Sequence, residues 1–377
     1  MSHWDAVVIG GGPAGALTAR GLALRGVSTL VLERAEWPRW KVCGACVGPA
    51  ARAVLRLAGL GALGRDPAGA PAGPAPITEM VLHARGRRAR LRPEGWAAWS
   101  RASLDGLLLE QAARAGAVCR TGTVARIGPV VGDRRLVFAR RGGREETVEA
   151  SIVIDAAGLG GAGASGGPRG PIGRAEPRAD SRIGLGALYP ATASDVSAGS
   201  LHMVVRPEGY VGLVRLEDGT LDVAAAVDPA RLRDARPAEV VGDLLAGPGP
   251  TLEGGPLRDW KGTPPLTRAA AHAAEERLFR VGDALAYVEP FTGEGIGWAL
   301  AGAHDLAPLA VRAVERWDVG FERAWARNRG RVTPRAHRRC RVTARALRHD
   351  RLMGAAVRVL ARAPSLARPW LRNARRT

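Results

Sequence analysis

The 377-residue sequence predicts an α/β chain, α+β in overall class: a parallel sheet with crossover helices, an inserted antiparallel sheet, and helices at the C-terminus. Three observations lead there. A short apolar run, a glycine-rich break and a helical run follow one another at the start of the chain. Four apolar runs at hairpin spacing occupy residues 183–227. Nearly everything beyond residue 296 reads as helix.

Taken in order, residues 5–9 form a short apolar run of the kind a buried parallel strand shows. Glycines interrupt it at 10–15, a helix follows over 16–25, and a second buried strand covers 27–33 and ends in an acid: a β-α-β unit. Residues 65–76, rich in Pro, Gly and Ala, read as a loop, and 80–91 as a hairpin around Gly86. A helix is expected over 103–115, then strands over 118–124, 135–140 and 147–154. Next come strands near 183–189, 201–206, 210–216 and 221–227, with Glu217-Asp218-Gly219 as a hairpin turn. A short helix at 238–245, a strand at 278–281 and a long helix at 296–316 complete the body.

Composition excludes several classes. A 46% hydrophobic chain is not disordered, and four cysteines are too few for a secreted disulfide scaffold. No run of 18 apolar residues predicts a membrane-spanning helix, and no leader pattern precedes the first strand, so the cytoplasm is the expected location. The net charge of +19 is unevenly placed. Residues 320–377 carry 17 arginines against Glu322 and Asp350, or +15, which leaves only +4 for the rest. Of 55 basic residues all but Lys41 and Lys261 are arginine. An Ala-, Gly-, Pro- and Arg-rich composition fits GC-rich coding, which weakens arginine abundance as a functional signal.

Gly10-Gly-Gly12-Pro-Ala-Gly15 fits G-x-G-x-x-G between a strand and a helix. In such a Rossmann-type loop Gly10 permits the tight turn, Gly12 lets a pyrophosphate approach the backbone, and Gly15 lets helix and strand pack closely. The helix N-terminus then faces the phosphates. Glu33, eighteen residues after Gly15, is placed to accept ribose hydroxyls, which favours FAD or NAD over NADP. A second match over 158–163 precedes a Gly/Pro-rich run that cannot propagate a helix, and is read as a crossover loop.

Val281-Gly-Asp283 leads through Pro290 to Gly293-Glu-Gly295-Ile296 and a long helix. This is a strand, a turn acid able to bind a polyol, and a second helix N-terminus. These residues resemble the second FAD motif of flavoproteins of the p-hydroxybenzoate-hydroxylase fold, in the geranylgeranyl reductase, flavin-dependent halogenase and monooxygenase group. Arg39-Trp-Lys41-Val-Cys43-Gly44, Trp99-Ser-Arg101-Ala-Ser-Leu-Asp105, Gly209-Tyr-Val-Gly-Leu-Val-Arg215 and Trp260-Lys-Gly-Thr-Pro resemble further segments of that group. The resemblance implies FAD held by Gly10, Gly12, Gly15, Glu33 and Arg34 at its ADP half. It implies Arg101 at the phosphates, the Val124 backbone at the adenine and Asp283 at the ribityl chain. Pro290, Gly295 and Ile296 would lie beside the isoalloxazine, and Lys41, Cys43 and Gly293 would also bind the cofactor. It also implies a Rossmann-type FAD-binding domain (1–76, 101–182 and 276–316) and a substrate domain (hairpin 77–100, antiparallel sheet 183–275) roofing a pocket over the flavin. A basic helical region, 317–377, follows.

Departures from the group narrow the reaction. The halogenase W-x-W-x-I-P motif is absent, so halogenation is not expected. Ala156-Ala157-Gly158 lacks the acid that aromatic hydroxylases use with NAD(P)H, and Tyr210-Val-Gly-Leu-Val-Arg215 lacks the aromatics of the prenyl reductases. The leading expectation is a monooxygenase acting on an apolar or aromatic metabolite, such as a secondary metabolite, with electrons from NAD(P)H or a separate reductase. The alternatives are an ene-reductase or dehydrogenase, and a flavin electron-transfer protein docking an acidic partner.

No side chain is singled out as catalytic; Cys43 and Tyr210 are the weak candidates. Cys43-Gly-Ala-Cys46 is open to a redox dithiol reading, against which stands the lack of a second Rossmann unit. Cys119 and Cys340 read as buried thiols. The histidines show no metal spacing, and His202 is placed to face the pocket or to pack structurally. In the tail, Arg335, Arg338, Arg341, Arg345 and Arg348 recur at helical spacing opposite Ala336, Cys340, Ala344 and Leu347. Helices closing the fold are the plain reading; an acidic carrier protein or an anionic membrane surface are the sharper ones, and nucleic acid is not expected.

Overall fold

The computed structural model describes residues 2–64, 73–162, 176–289, 291 and 293–371. Strand β1 (Ser2–Ile9) enters the glycine loop, α1 (Pro13–Ala23) packs back, and β2 (Thr29–Leu32) returns parallel to β1, with Ala6 opposite Thr29. Both strands are buried on both faces where they pair, which is why they read as plain apolar runs rather than alternating ones. The strand Arg144–Asp155 runs parallel on the other side of β1, and Leu278–Arg280 lies beyond it. The helices Arg101–Arg114 and Gly295–Glu315 pack against α1. This is the Rossmann-type layer.

The expected strand over 118–124 is broken. It stops at Arg120, the chain turns at Gly122 (φ +62°), and the Thr123 N–H donates to the Glu33 carbonyl at 2.8 Å. A separate strand, Val124–Val131, then starts. Gly128 and Pro129 hid it, and its position as an edge strand is what tolerates them.

The second sheet has seven strands, in the order Arg258–Pro265, Ile183–Tyr189, Leu221–Val227, Gly209–Arg215, Ser200–Arg206, Glu79–Ala84, Arg87–Leu91. Its pairings are antiparallel except one. Ser200–Arg206 runs parallel to Glu79–Ala84, so the expected purely antiparallel sheet is mixed. More than a hundred residues separate these two strands, so no tight turn dictates their sense.

The tail completes this sheet. One long helix, Val319–Ala346, is followed by Asp350–Arg362, which packs on the Arg87–Leu91 strand. Leu347, Met353 and Val357 are buried in one cluster with Tyr210 and Trp96. The apolar stripe is thus used inside the fold, while Arg351, Arg358 and Arg362 stay exposed. The side chains of Arg335 and Ala336 lie outside the described ones. Among the described residues no helix is long and apolar enough to cross a membrane.

A buried arginine ties the parts together. Arg182, fully buried, donates to Glu289 Oε1 (3.1 Å), Asp228 Oδ1 (3.3 Å) and the Pro207 carbonyl (2.7 Å). Arg348 of the tail reaches the same Asp228 oxygen at 2.7 Å and the Asp180 carbonyl at 2.8 Å. Burial already raises the carboxyl pKa of Glu289, and Arg182 opposes that shift. Arg182→Met therefore strands a buried carboxylate and is expected to cost about 3 kcal/mol in urea unfolding. The loss should shrink as pH falls through the raised Glu289 pKa, because protonation removes the unpaired charge, and be largest above it.

Candidate functional site

A cavity of about 1260 Å³ runs between the two sheets. That exceeds the roughly 300–1,000 Å³ of a pocket for one drug-sized ligand and suits a dinucleotide plus a second molecule. Gly10, Gly12, Glu33, Arg34, Lys41, Cys43, Arg101, Val124, Tyr210, Asp283, Gly293, Gly295 and Ile296 all line it. Gly15 lies behind the wall, and Pro290 lies outside the described residues.

At one end the glycine loop is shaped by close contact. A Cβ on Gly15 would stand 1.8 Å from the Gly10 carbonyl oxygen, and one on Gly10 (φ +106°) 2.4 Å from the Ala156 carbonyl oxygen. Only bare backbone lets α1 start so close to β1. The N-cap of α1 is Gly12, with no side-chain cap, so first-turn N–H groups face the cavity. Glu33 Oε2 accepts from the Gly11 N–H (2.7 Å) and Oε1 from the Ala35 N–H (2.9 Å). The carboxylate is anchored at the end of β2 with lone pairs left for a ligand.

Next to the loop the cations outnumber the acids. Arg101 holds Asp105 in a fork (2.7 and 2.6 Å), and Arg39 approaches the same carboxylate at 3.4 Å. The Nε of Arg39 is buried without a hydrogen-bond partner among the described residues. Enclosure by protein lowers the Lys41 pKa, the Arg101 charge lowers it further, and Asp283 acts against both. The Asp283 carboxyl is raised by the same enclosure. Arg34, Arg39, Lys41 and Arg101 stand against Glu33, Asp105 and Asp283, four cations to three acids, which leaves positive charge suited to a pyrophosphate. A second helix start completes this wall. Glu294, the N-cap of Gly295–Glu315, does not cap with its own side chain, which accepts instead from Cys340 Sγ (2.8 Å) and Arg339 (2.9 Å). The residues fit FAD.

The opposite wall is the pocket face of the mixed sheet. Register aligns Gly186, Ala224 and Gly212 in one row and Gly184, Ala226 and Tyr210 in the next; Gly186 is covered by Val42 and Trp40, and the other five line the cavity. Apart from Tyr210, nothing in these rows is larger than a methyl group. Sequence reasoning did not single out Gly184, Gly186, Gly212, Ala224 or Ala226; the signal was glycine recurring inside strands, which marks close approach by a ligand or another backbone. Met80, Leu201 and Met203 extend the wall.

The weaker candidates separate. Tyr210 packs edge-on against Phe291, with centroids 5.0 Å apart, and burial keeps its hydroxyl protonated. His202 alternates with the pocket-facing Leu201 and Met203, so it points to the other face, stacked on His83 with 3.3 Å between ring nitrogens. Cys43 and Cys46 both line the cavity as free thiols. Enclosure raises the Cys46 pKa, with Cys43 and Asp222 adding to it, the reverse of the activation a redox dithiol needs. Cys340 is buried as expected, whereas Cys119 is only half-buried. Gly158–Gly160 forms a short 3-10 turn, and Gly163, the last glycine of that second motif, lies outside the described residues.

Residues 3–169 match the family described as FAD binding domain. The chain carries an FAD-binding domain. The fold around that domain is shared with solved flavoproteins. A geranylgeranyl bacteriochlorophyll reductase-like protein from Thermoplasma acidophilum is 19% identical with a TM-score of 0.76, over 96% of this chain and 92% of that one. A flavoprotein/dehydrogenase from Cytophaga hutchinsonii is 20% identical with a TM-score of 0.70, over 87% and 82%. The halogenase PltM, in complex with phloroglucinol and FAD, is 18% identical with a TM-score of 0.70, over 84% and 72%. The FAD-binding domain and the second sheet together have the fold of FAD-dependent oxidoreductases of this group.

Two outcomes test the FAD site. Glu33→Ala removes an anchored ribose acceptor and should weaken FAD binding about tenfold in a fluorescence titration, since a charged hydrogen bond is worth that much. For wild type, FAD affinity should fall as pH rises through the depressed Lys41 pKa, below the ordinary lysine range, because only the ammonium form attracts phosphate. Lys41→Met should bind more weakly and lose that alkaline step.

Proposed function

We propose that the protein is an FAD-dependent monooxygenase acting on an apolar or aromatic substrate. The observation that carries this reading is the cavity wall of Gly212, Ala224 and Ala226 opposite the FAD-binding residues, bounded by Met203, Leu201 and Leu266, which leaves an apolar space beside the cofactor site. When bound, FAD supplies two-electron redox chemistry and, once reduced, activation of O₂. The chain's own residues position and enclose. Tyr210 and Phe291 shape the apolar end, Met203 and Leu201 cover the side, and the tail helices pack on this same face of the sheet beyond Tyr210. Exclusion of water protects the reaction from unproductive release. Phloroglucinol bound to PltM, an aromatic ligand in the same fold, agrees with this substrate class. The electrons come from NAD(P)H or from a separate reductase.

A reductase is the second reading. It is favoured by the likeness to the geranylgeranyl bacteriochlorophyll reductase-like protein, which extends over nearly the whole of both chains. Turnover of candidate aromatic metabolites under isotopically labelled O₂ decides between them. Label in the product supports the monooxygenase, and turnover with O₂ excluded supports the reductase. Ala224→Leu places a branched side chain in this space; it should retain the visible flavin spectrum and lose about 80% or more of turnover, since overfilling a packed site costs about 1–3 kcal/mol, or about fivefold or more.

A further inference from the structure

The edge strand Arg258–Pro265 pairs irregularly with Ile183–Tyr189: Leu188 stands opposite Arg258, but Gly186 stands opposite Lys261. Two steps on one strand meet three on the other, so a β-bulge lies between them. Without it, Trp260 would oppose Gly186 and face the cavity. With it, Trp260 turns to the far face, edge-on to Tyr189, and Lys261 takes its place on the cavity wall beside Arg258. The Lys261 ammonium lies 5.4 Å from the ring centroid of Trp40, itself in the wall. Among the described residues neither Lys261 nor Arg258 has an ion pair, although Asp259, between them in sequence, lines the same cavity.

We infer that this rim is an anion subsite: Lys261, with Arg258, holds a carboxylate or phosphate borne by the substrate whose apolar part enters the cavity. The inference rests on the proposed apolar substrate and adds a charged group to it. Two cations without an ion pair among the described residues line one mouth against a single acid, Asp259, and an anion balances the excess charge. The subsite is distinct from the pyrophosphate wall, where Arg39, Lys41 and Arg101 already gather. It lies on the edge strand of the substrate sheet, where a bulge has re-aimed the side chain. A lysine fits the place because its compact ammonium rests over an indole ring and still offers its protons to a ligand.

The test uses the full-length protein loaded with FAD and follows the visible flavin spectrum as probes are added. The probes are 2-naphthoate, its neutral isostere 2-naphthamide, and 2-naphthyl phosphate. Wild type should bind naphthoate or naphthyl phosphate about tenfold more tightly than the amide. The tighter anion identifies the source, a carboxylic acid or a phosphate-bearing substrate. Lys261→Ala should erase that preference, leave amide binding within about twofold and keep FAD bound, while Lys261→Arg should retain a preference for anions. Equal binding of anion and amide by wild type, no spectral response to any probe, or a Lys261→Ala protein that still prefers anions would each overturn the inference. So would loss of FAD from Lys261→Ala, which would reassign the lysine to the cofactor. A wild type without flavin bands after FAD loading would reject the underlying flavoenzyme reading as well.

Discussion

The guanidinium of Arg182 sits where three parts of the chain meet. Glu289, on the approach to the second flavin helix, is held on one side; Asp228, at the end of a central strand of the mixed sheet, on another; and Arg348 of the tail reaches that same aspartate. The distance between cofactor wall and substrate wall is therefore set by a hydrogen-bonded charge cluster, not by apolar packing alone. Apolar contact tolerates sliding, whereas a fork of donors on fixed acceptors does not. The depth of the cavity, and so the thickness of what fits in it, depends on this clip.

The two walls are built on opposite principles. The FAD wall concentrates polar capacity: uncapped helix starts, an anchored carboxylate and a cluster of arginines and a lysine set among acids. The facing wall removes it, with two rows of Gly and Ala whose backbone groups are spent on sheet pairing. One wall is specific for a charged, hydroxyl-rich cofactor, and the other defines little beyond shape. Substrate identity then rests on the few larger groups at the ends of the rows.

What the sequence disclosed follows from how local each feature is. The β-α-β unit, the glycine loop and Glu33 lie within 33 residues and obey backbone rules, so they were legible. The hairpin-linked strands were too. The parallel join of Ser200–Arg206 to Glu79–Ala84 was not, because nothing local dictates the pairing of strands so far apart. The strand Val124–Val131 was masked by Gly128 and Pro129. His202 was left open between pocket and packing, because the face a strand residue occupies is decided by neighbours. The bulge that turns Lys261 inward was invisible for the same reason: alternation along Arg258–Pro265 alone would have placed Trp260 in the cavity.

The scarcity of lysine has a practical side. Arginine fills all but two of the chain's 55 basic positions, and both lysines border the same cavity. The arginine-rich tail therefore offers no primary amine on its side chains. An acylating reagent that modifies lysine would leave that surface untouched and report on the cavity, where Lys261 is exposed and Lys41 is set into the wall. The same pair gives crosslinkers, fluorophores and solid supports a single region of side-chain attachment. Attaching such a group would itself obstruct the mouth of the site.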